Sequence, residues 1–274
     1  MTNWRFWQKS TGDEKEKIKN KLAQAIEKGR LSKVRQIFNL HTVDINEVIW
    51  IYLRPLSMSL YNRTRSWSIA IFLLEFGADP KLPHSTDETL STISNLHWYA
   101  VSGDNEANSI IRLLLFFDSQ NAFMTFCDIR GRTMLQYIDA RGSRRAELCD
   151  YDIKERKQFI IETDAKWKEY RCLIEAGTAY ASQSDLEQHP HKAAAEILFE
   201  MAANETKQEL LQFYSSKGKE LLSNIEMADS ATTDDLSSEP QAQILSSGLL
   251  RRRHRYSPTK TPETTPLLDT SNRV

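Results

Sequence analysis

Long apolar runs are missing from this chain of 274 residues: nowhere do 18 apolar residues follow one another, which argues against a transmembrane helix. A strong charge of either sign is also missing, because 36 basic residues face 37 acidic ones and leave a net charge of −1. This balance excludes a chain that is polybasic throughout, and no nucleic-acid partner is expected. The first seven residues, MTNWRFW, contain no apolar h-region. They predict no Sec signal, and a cytoplasmic protein is expected.

Cysteine is scarce, and motifs of catalysis are absent. Cys127, Cys149 and Cys172 share no CxxC spacing, which favours a reducing compartment and argues against structural zinc. None of them stands in a recognisable nucleophile context, and His189-Pro190-His191 lacks a supporting cysteine or carboxylate. No phosphate-binding glycine motif and no H-E-x-x-H are present. The sequence therefore predicts no catalytic residue, no metal ligand and no cofactor.

Aromatic residues are nearly absent from the last part of the chain. Residues 223–274 contain 15 Ser or Thr, four of the eight prolines and one aromatic residue, Tyr256. A segment of this composition cannot bury enough apolar surface to offset the entropy lost on ordering. We therefore expect a folded body at 1–222 and a disordered tail at 223–274.

The body has the apolar spacing of short helices that are separated by glycine-containing turns. Leu22, Ala25 and Ile26 mark one helical face, Gly29 ends that helix, and a second apolar face follows. Similar units recur, since Gly77 and Gly177 are 100 residues apart, close to three periods of about 33 residues. This recurrence indicates a helical repeat protein.

Several segments resemble the ankyrin repeat, whose pattern is roughly G-x-T-P-L-H-x-A-A-x-x-G followed by a helix that ends L-L-x-x-G-A-D. GRTMLQYIDARG at 131–142 and SNLHWYAVSG at 94–103 match the first half. LLEFGADP at 73–80 matches the second half, and CLIEAG at 172–177 matches it more weakly. The resemblance implies an all-α ankyrin-repeat solenoid of about four degenerate repeats, at about 14–46, 48–80, 88–124 and 128–180. A segment of 13 residues precedes them.

Two regions exceed what four repeats require. About 23 residues, 143–165, are inserted between the helices of the fourth repeat, and Phe159, Ile160 and Ile161 predict that their second half extends the following helix. Residues 181–222 predict two further helices. We interpret them as capping helices, because a terminal repeat needs a cover for its apolar face. A small appended helical module is the alternative.

The resemblance implies that a protein partner binds on the concave side, through loop tips and inner helices. The residues that this places at the tips and on the inner helix between them are Trp98, Tyr99, Asp128, Arg130 and Arg132. Aromatic and arginine residues contribute most binding energy at protein interfaces. For Trp98, packing between repeats is the alternative. His97 takes the place of the structural histidine of the family, which implies a hydrogen bond that supports the turn.

The tail contains two short motifs. Arg251, Arg252, Arg253 and Arg255 form a basic cluster that could bind anionic lipid or an import receptor, with a solvated charge run as the alternative. Glu263, Leu267 and Leu268 match an acidic dileucine sorting signal, which would dock on a sorting adaptor.

Degenerate repeats, insertions and a polar tail resemble the ankyrin effectors that intracellular bacteria such as Legionella and Coxiella secrete by type IV systems. The resemblance implies a non-catalytic, monomeric interaction protein that binds a host protein and reaches the host cytoplasm without a Sec signal. One alternative is an effector enzyme, similar to a cysteine hydrolase, whose repeats recruit substrate to the insert or the 181–222 helices. Another is a eukaryotic trafficking adaptor with a dileucine tail.

Overall fold

A computed structural model describes residues 14–41, 43–49, 53–61, 63–82, 94–102, 106–118, 124–128, 130–146, 152–179 and 189–233. In this part the chain is all-α, and an isolated antiparallel bridge joins Cys127 to Thr133. The helices are α1 (Glu14–Glu27), α2 (Leu31–Leu40), α3 (Pro55–Leu60), α4 (Trp67–Glu75), α5 (Asn95–Ala100), α6 (Ala107–Phe116), α7 (Met134–Ala146), α8 (Ile153–Ala179), α9 (Pro190–Ala203) and α10 (Gln208–Thr233).

Each odd-numbered helix packs on the helix that follows it, which makes five helical pairs. Neighbouring pairs also contact each other through equivalent helices: α1 packs on α3, α5 on α7, α2 on α4 and α6 on α8. Between the second and third pairs, the Tyr99 hydroxyl of α5 donates to the carbonyl oxygen of Leu60 on α3 over 2.7 Å. The first four pairs therefore follow one another in chain order.

Glycines end two of these helices in the same way. Gly29 and Gly77 have φ of +63° and +102°, which only glycine adopts at little cost. After each of them the chain closes a Schellman motif: Arg30 N donates to Ala25 O, and Ala78 N donates to Leu73 O, both over 2.9 Å. These two turn positions agree with the spacing in the sequence.

The fourth pair differs from the expected pattern at both of its glycines. Gly177 does not end a helix: it lies buried inside α8, where a side chain would overlap the imidazole of His191. Likewise, α7 continues through Gly142 to Ala146. The extra residues thus lengthen both helices of the pair, and the prediction that 159–161 extend the second helix is confirmed, because α8 begins at Ile153.

Phe116 of α6 lies at the centre of an aromatic cluster that joins three pairs. Its ring is edge-on to Trp167 of α8 at 5.1 Å and to Phe213 of α10 at 5.4 Å between centroids. Tyr214 of α10, fully buried, lies 5.6 Å from Trp167. Burial of such large rings contributes a major share of the hydrophobic stabilisation.

Polar contacts also attach the last pair to earlier ones. The carboxylate of Glu205, with a fully buried side chain, accepts from Ser109 Oγ over 2.8 Å and from the Arg112 guanidinium over 2.6 Å, both on α6. Further along α10, Lys217 pairs with Glu75 of α4 at 3.2 Å. The pair α9–α10, where the sequence predicts capping helices, therefore lies against α4 and α6 as well as α8.

The last helix reaches further than the sequence predicts. α10 continues to Thr233, past residue 222, where the tail is expected to begin. Among the described residues, no helix combines the length and the apolar character that a membrane crossing requires.

Candidate interaction site at the turn before α7

The turn that precedes α7 is held by its own backbone. Cys127 and Thr133 form an antiparallel bridge, and Asp128 N donates to Arg132 O over 2.9 Å. Gly131 N donates back to Asp128 O over 2.9 Å, and Gly131 has a φ of +71°. The result is a tight, closed turn that presents Arg130 to solvent.

Asp128 organises this turn from inside. One carboxylate oxygen accepts from the backbone N–H groups of Arg130 and Arg132, each over 2.9 Å. The other accepts from the Arg132 guanidinium, from Nε over 2.9 Å and from Nη2 over 2.6 Å. Burial by itself raises the pKa of Asp128, but the hydrogen bonds and the charge of Arg132 outweigh it, and the pKa is lowered. Asp128 is therefore an ionised, buried anchor.

Arg132 has a structural role beside Asp128. Its guanidinium lies over the ring of Tyr137 on α7, 4.9 Å from the centroid, in addition to its two hydrogen bonds to one carboxylate oxygen of Asp128. Arg130 makes no side-chain hydrogen bond or ion pair with the described residues. Of the two arginines, Arg130 has the free charge.

His97 of α5 contacts aromatic residues on both sides of this turn in the sequence. Its Nδ1 lies 2.9 Å from Ser94 Oγ, and Ser94 in turn accepts from His97 N at the start of α5. The imidazole is edge-on to Tyr137 at 5.6 Å and to Phe126 at 5.9 Å. Burial is the main influence on the pKa of His97 and lowers it, against a smaller opposite effect of the Arg132 backbone. The imidazole of His97 thus hydrogen-bonds at the start of its own helix, and its Nε2 is buried without a hydrogen-bond partner among the described residues.

The five residues predicted to contact a partner differ in exposure. Arg130 is exposed, Trp98 and Arg132 are half-buried, and Asp128 and Tyr99 are buried. Tyr99 is only 2% exposed because its ring packs in the core and its hydroxyl bonds to α3. The turn brings Asp128, Arg130 and Arg132 together, and the partly buried Trp98 packs against the core. Only Arg130, Trp98 and Arg132 therefore offer atoms to a partner.

Three residues of this site, Thr133, Gln136 and Tyr137, lie outside the prediction. Gln136 accepts from Thr133 N over 2.9 Å and donates its own N–H to Thr133 Oγ1 over 3.4 Å, which is a reciprocal capping box at the start of α7. Thr133 and Gln136 have the T-x-x-Q spacing that indicates this cap. Tyr137, one residue later, is the platform for Arg132, and no local pattern in the sequence marks it.

The remaining cysteines and histidines form local hydrogen bonds within the described residues or form no hydrogen bond there. The exposed Cys127 thiol donates to Thr125 O over 3.5 Å, and the exposed Cys172 makes no hydrogen bond to any histidine in the described ranges. His189 Nδ1 accepts from His191 N over 3.2 Å, and the His191 ring contacts Ile174 O over 3.3 Å. Among the described residues, no group of three His, Cys, Asp or Glu side chains could hold a metal ion.

Several predicted features lie outside the described residues. They are Cys149, residues 1–13, the dileucine residues Glu263, Leu267 and Leu268, and the basic residues Arg251, Arg252, Arg253 and Arg255.

No family model, no curated protein and no solved structure matches this chain.

Proposed function

We propose that the chain is a non-catalytic interaction module of the ankyrin type, which binds a protein partner through the turn before α7. The observation that carries this proposal is the hydrogen-bonded turn around Asp128, in which the Arg130 side chain forms no ion pair with the described residues. Helical pairs in chain order, with Gly29 ending α1 and Gly77 ending α4, support the ankyrin assignment. Ankyrin-type stacks use such tips as contact points on an extended surface.

The charges of the turn indicate the chemistry of the partner. Asp128 and Arg132 neutralise each other, so the net charge of the tip comes from Arg130. A guanidinium in this position fits a carboxylate or a group of carbonyl oxygens on the partner. The exposed part of the half-buried Trp98 would supply the apolar part of the contact, as aromatic residues do at interfaces.

The test is capture of the partner from host-cell lysate by the full chain, followed by affinity measurement with the identified protein. Arg130→Ala and Trp98→Ala should each weaken binding by about tenfold or more. Arg63→Ala is the matched control, because Arg63 is exposed in the turn between α3 and α4. Unchanged affinity of both site variants, with helical content preserved, would remove the proposed site. Arg132→Ala is a poor probe, because it also breaks the Asp128 contacts.

The setting of this interaction is also a proposal. The polar tail that follows α10 supports secretion of the type IV kind into a host cell. A reporter enzyme fused in front of the full chain should reach the host cytoplasm, and the same fusion without 234–274, which keeps α10 intact, should not. Equal delivery of both fusions would contradict a signal in the tail.

A further inference from the structure

An ionisable side chain lies completely buried beside the turn that precedes α7. His97 of α5 is 0% exposed, and its imidazole lies between two aromatic rings. The ring of Phe126, before the turn, is 5.9 Å from the imidazole between centroids, and the ring of Tyr137, after the turn, is 5.6 Å from it. A change at the imidazole therefore acts on both segments that the turn connects.

The hydrogen bonds of this imidazole leave no place for a second N–H. Nδ1 lies 2.9 Å from Ser94 Oγ, whereas Nε2 is buried and has no hydrogen-bond partner among the described residues. A protonated imidazole carries an N–H on both nitrogens, and a buried donor without an acceptor is costly. Protonation would therefore add a positive charge to a site that offers Nε2 no acceptor within the described ranges.

The charged groups that act on His97 belong to the turn. They are the Asp128 carboxylate, which favours the protonated imidazole, and the Arg132 guanidinium, which disfavours it. The Tyr137 ring faces the imidazole from α7. The sequences of α3 and α5 contain no acidic residue, lysine or arginine, and Arg112 of α6 pairs with the carboxylate that follows α9. A proton on His97 would thus place a second cation near Arg132.

Burial determines which form of His97 the closed turn holds. It outweighs the opposite effects of Asp128 and of the Arg132 backbone, so the pKa of His97 lies below its ordinary value of 6.5. In an open turn, where water reaches the ring, the pKa returns toward that value. The closed turn is therefore favoured while the imidazole is neutral. Below about pH 6.5, each pH unit shifts the balance toward the open turn by up to about tenfold, until the pKa of the closed form is reached.

Tyr137 connects the imidazole with the charged residues of the turn. Its ring is edge-on to His97, and the Arg132 guanidinium lies over it, 4.9 Å from the centroid. Arg132 donates to the Asp128 carboxylate over 2.6 Å, and this carboxylate also accepts from the backbone N–H of Arg130. A displacement of the Tyr137 ring would therefore loosen the contacts that position Arg130.

From this arrangement we propose that His97 is an acid-sensitive switch: when it takes up a proton, the turn around Asp128 opens and releases its partner. Water has to reach Nε2 to solvate the new charge, and it can do so only if the rings of Phe126 and Tyr137 move apart. Release of a partner rests on the proposed function, whereas opening of the turn does not.

The experiment is NMR spectroscopy of the full chain with ¹⁵N-labelled glycine, between about pH 7.5 and pH 4.5. The Gly131 amide reports on the turn, because its N–H donates to Asp128 O over 2.9 Å. Gly29 and Gly77 are internal controls, since they also have a positive φ and an amide hydrogen bond, but in other turns. We expect the Gly131 signal to change with the midpoint of the His97 ring proton, below pH 6.5, while both control signals stay constant.

A Gly131 signal that does not change in this range overturns the proposal. A change of all three glycine signals together overturns it as well, because it would show unfolding of the whole body. Asp128 stays ionised in this range, since its pKa is lowered, so its own titration does not produce the change.

Two variants separate His97 from the other histidines. His97→Gln keeps a polar side chain but cannot titrate, and its Gly131 signal should not depend on pH in this range. His41→Gln, at the end of α2, is the matched control and should behave like the wild type. A Gly131 change that persists in His97→Gln overturns the proposal. If His97→Gln does not fold, the comparison of Gly131 with Gly29 and Gly77 in the wild type still decides.

Release is measured separately, with the partner that the capture experiment identifies. The affinity of the wild type should fall by about tenfold from pH 7 to pH 5, and that of His97→Gln should stay constant. Equal pH dependence of the two chains overturns the switch. Binding that is already insensitive to Arg130→Ala and Trp98→Ala at pH 7 removes the proposed function instead, and the glycine signals then decide on the opening of the turn alone.

Discussion

Two buried tyrosines differ in what their hydroxyl groups contact. The Tyr99 hydroxyl donates to Leu60 O over 2.7 Å, whereas the Tyr214 hydroxyl is buried and has no hydrogen-bond partner among the described residues. We expect Tyr99→Phe to lower the free energy of unfolding by about 1 kcal/mol, because it removes a buried hydrogen bond and leaves Arg65 Nε as the remaining side-chain donor to Leu60 O. Tyr214→Phe should raise it by up to about 1 kcal/mol, because it removes an unsatisfied polar group.

Urea denaturation of both variants, followed by circular dichroism, measures these changes. Each variant is the control for the other, since both remove one oxygen from a buried ring. A loss of stability in Tyr214→Phe as large as that in Tyr99→Phe would show that the Tyr214 hydroxyl is bonded after all.

Asp128 should make the stability of the protein depend on pH. Its folded-state pKa is lowered, so its contribution is present above the unfolded pKa near 4 and is lost as pH falls through the folded value. Asp128→Asn should cost about 2 kcal/mol of unfolding free energy at pH 7. The difference from the wild type should begin to shrink below about pH 4, where the Asp128 carboxyl of the unfolded chain takes up a proton while the folded one is still ionised. Denaturation at several pH values from 7 to 3 measures it.

The matched control for this titration is Glu169→Gln, which neutralises an exposed carboxylate on α8 and should change little at any pH. A difference between wild type and Asp128→Asn that stays constant down to pH 3 would contradict a lowered pKa.

At the scale of helices, Gly177 tests how α8 and α9 pack. A side chain at this position would overlap the imidazole of His191, so Gly177→Ala should lower the unfolding free energy by about 2 kcal/mol. Removal of the obstacle in Gly177→Ala/His191→Ala should recover part of the loss, because the two positions are in contact. Thermal and urea denaturation of the single and double variants give the coupling energy.

Gly77→Ala is the comparison for this cycle. Its cost of about 1 kcal/mol comes from a positive φ, and His191→Ala should not reduce it. Equal rescue of both glycine variants by His191→Ala would contradict a steric origin of the loss at Gly177.

The two glycines also show where prediction from sequence ends at this scale. Gly77 and Gly177 follow similar apolar segments, and both are predicted to end a repeat. Gly77 closes a Schellman motif, whereas Gly177 continues a helix, because its close approach to His191 depends on a helix that packs from outside the local segment. The local pattern predicts that a glycine is required at both positions. It does not show whether the positive φ or the absence of a side chain is the property that is needed.

At the scale of the whole molecule, α10 is required for the core. Its Phe213 and Tyr214 cover Phe116 and Trp167, which would face solvent without it. A chain that ends at residue 207 should therefore unfold more than about 10 °C below one that ends at Thr233, and should bind a hydrophobic dye. A 1–207 chain with the same unfolding temperature would show that α10 is a separate module.

The sequence predicts much of the body and little of its long-range connections. Apolar spacing and the positions of Gly29 and Gly77 are local signals, so the all-α class and the first helices could be predicted. No local sequence pattern predicts that Glu205 is buried and paired, because its partners Ser109 and Arg112 are far away in the chain. At the candidate site, the i, i+4 spacing of Asp128 and Arg132 could not show which arginine pairs and which one remains free.

The ion pair between Lys217 and Glu75 joins residues that are 142 positions apart. During synthesis, α4 leaves the ribosome long before α10 is made. Until then, Phe116 and Trp167 remain exposed on the side that α10 later covers. Contacts between distant segments slow folding, because a long loop must close before they form. We therefore expect a body whose last step of maturation is the docking of α10, and whose nascent chains depend on chaperones until Gln208–Thr233 has been translated.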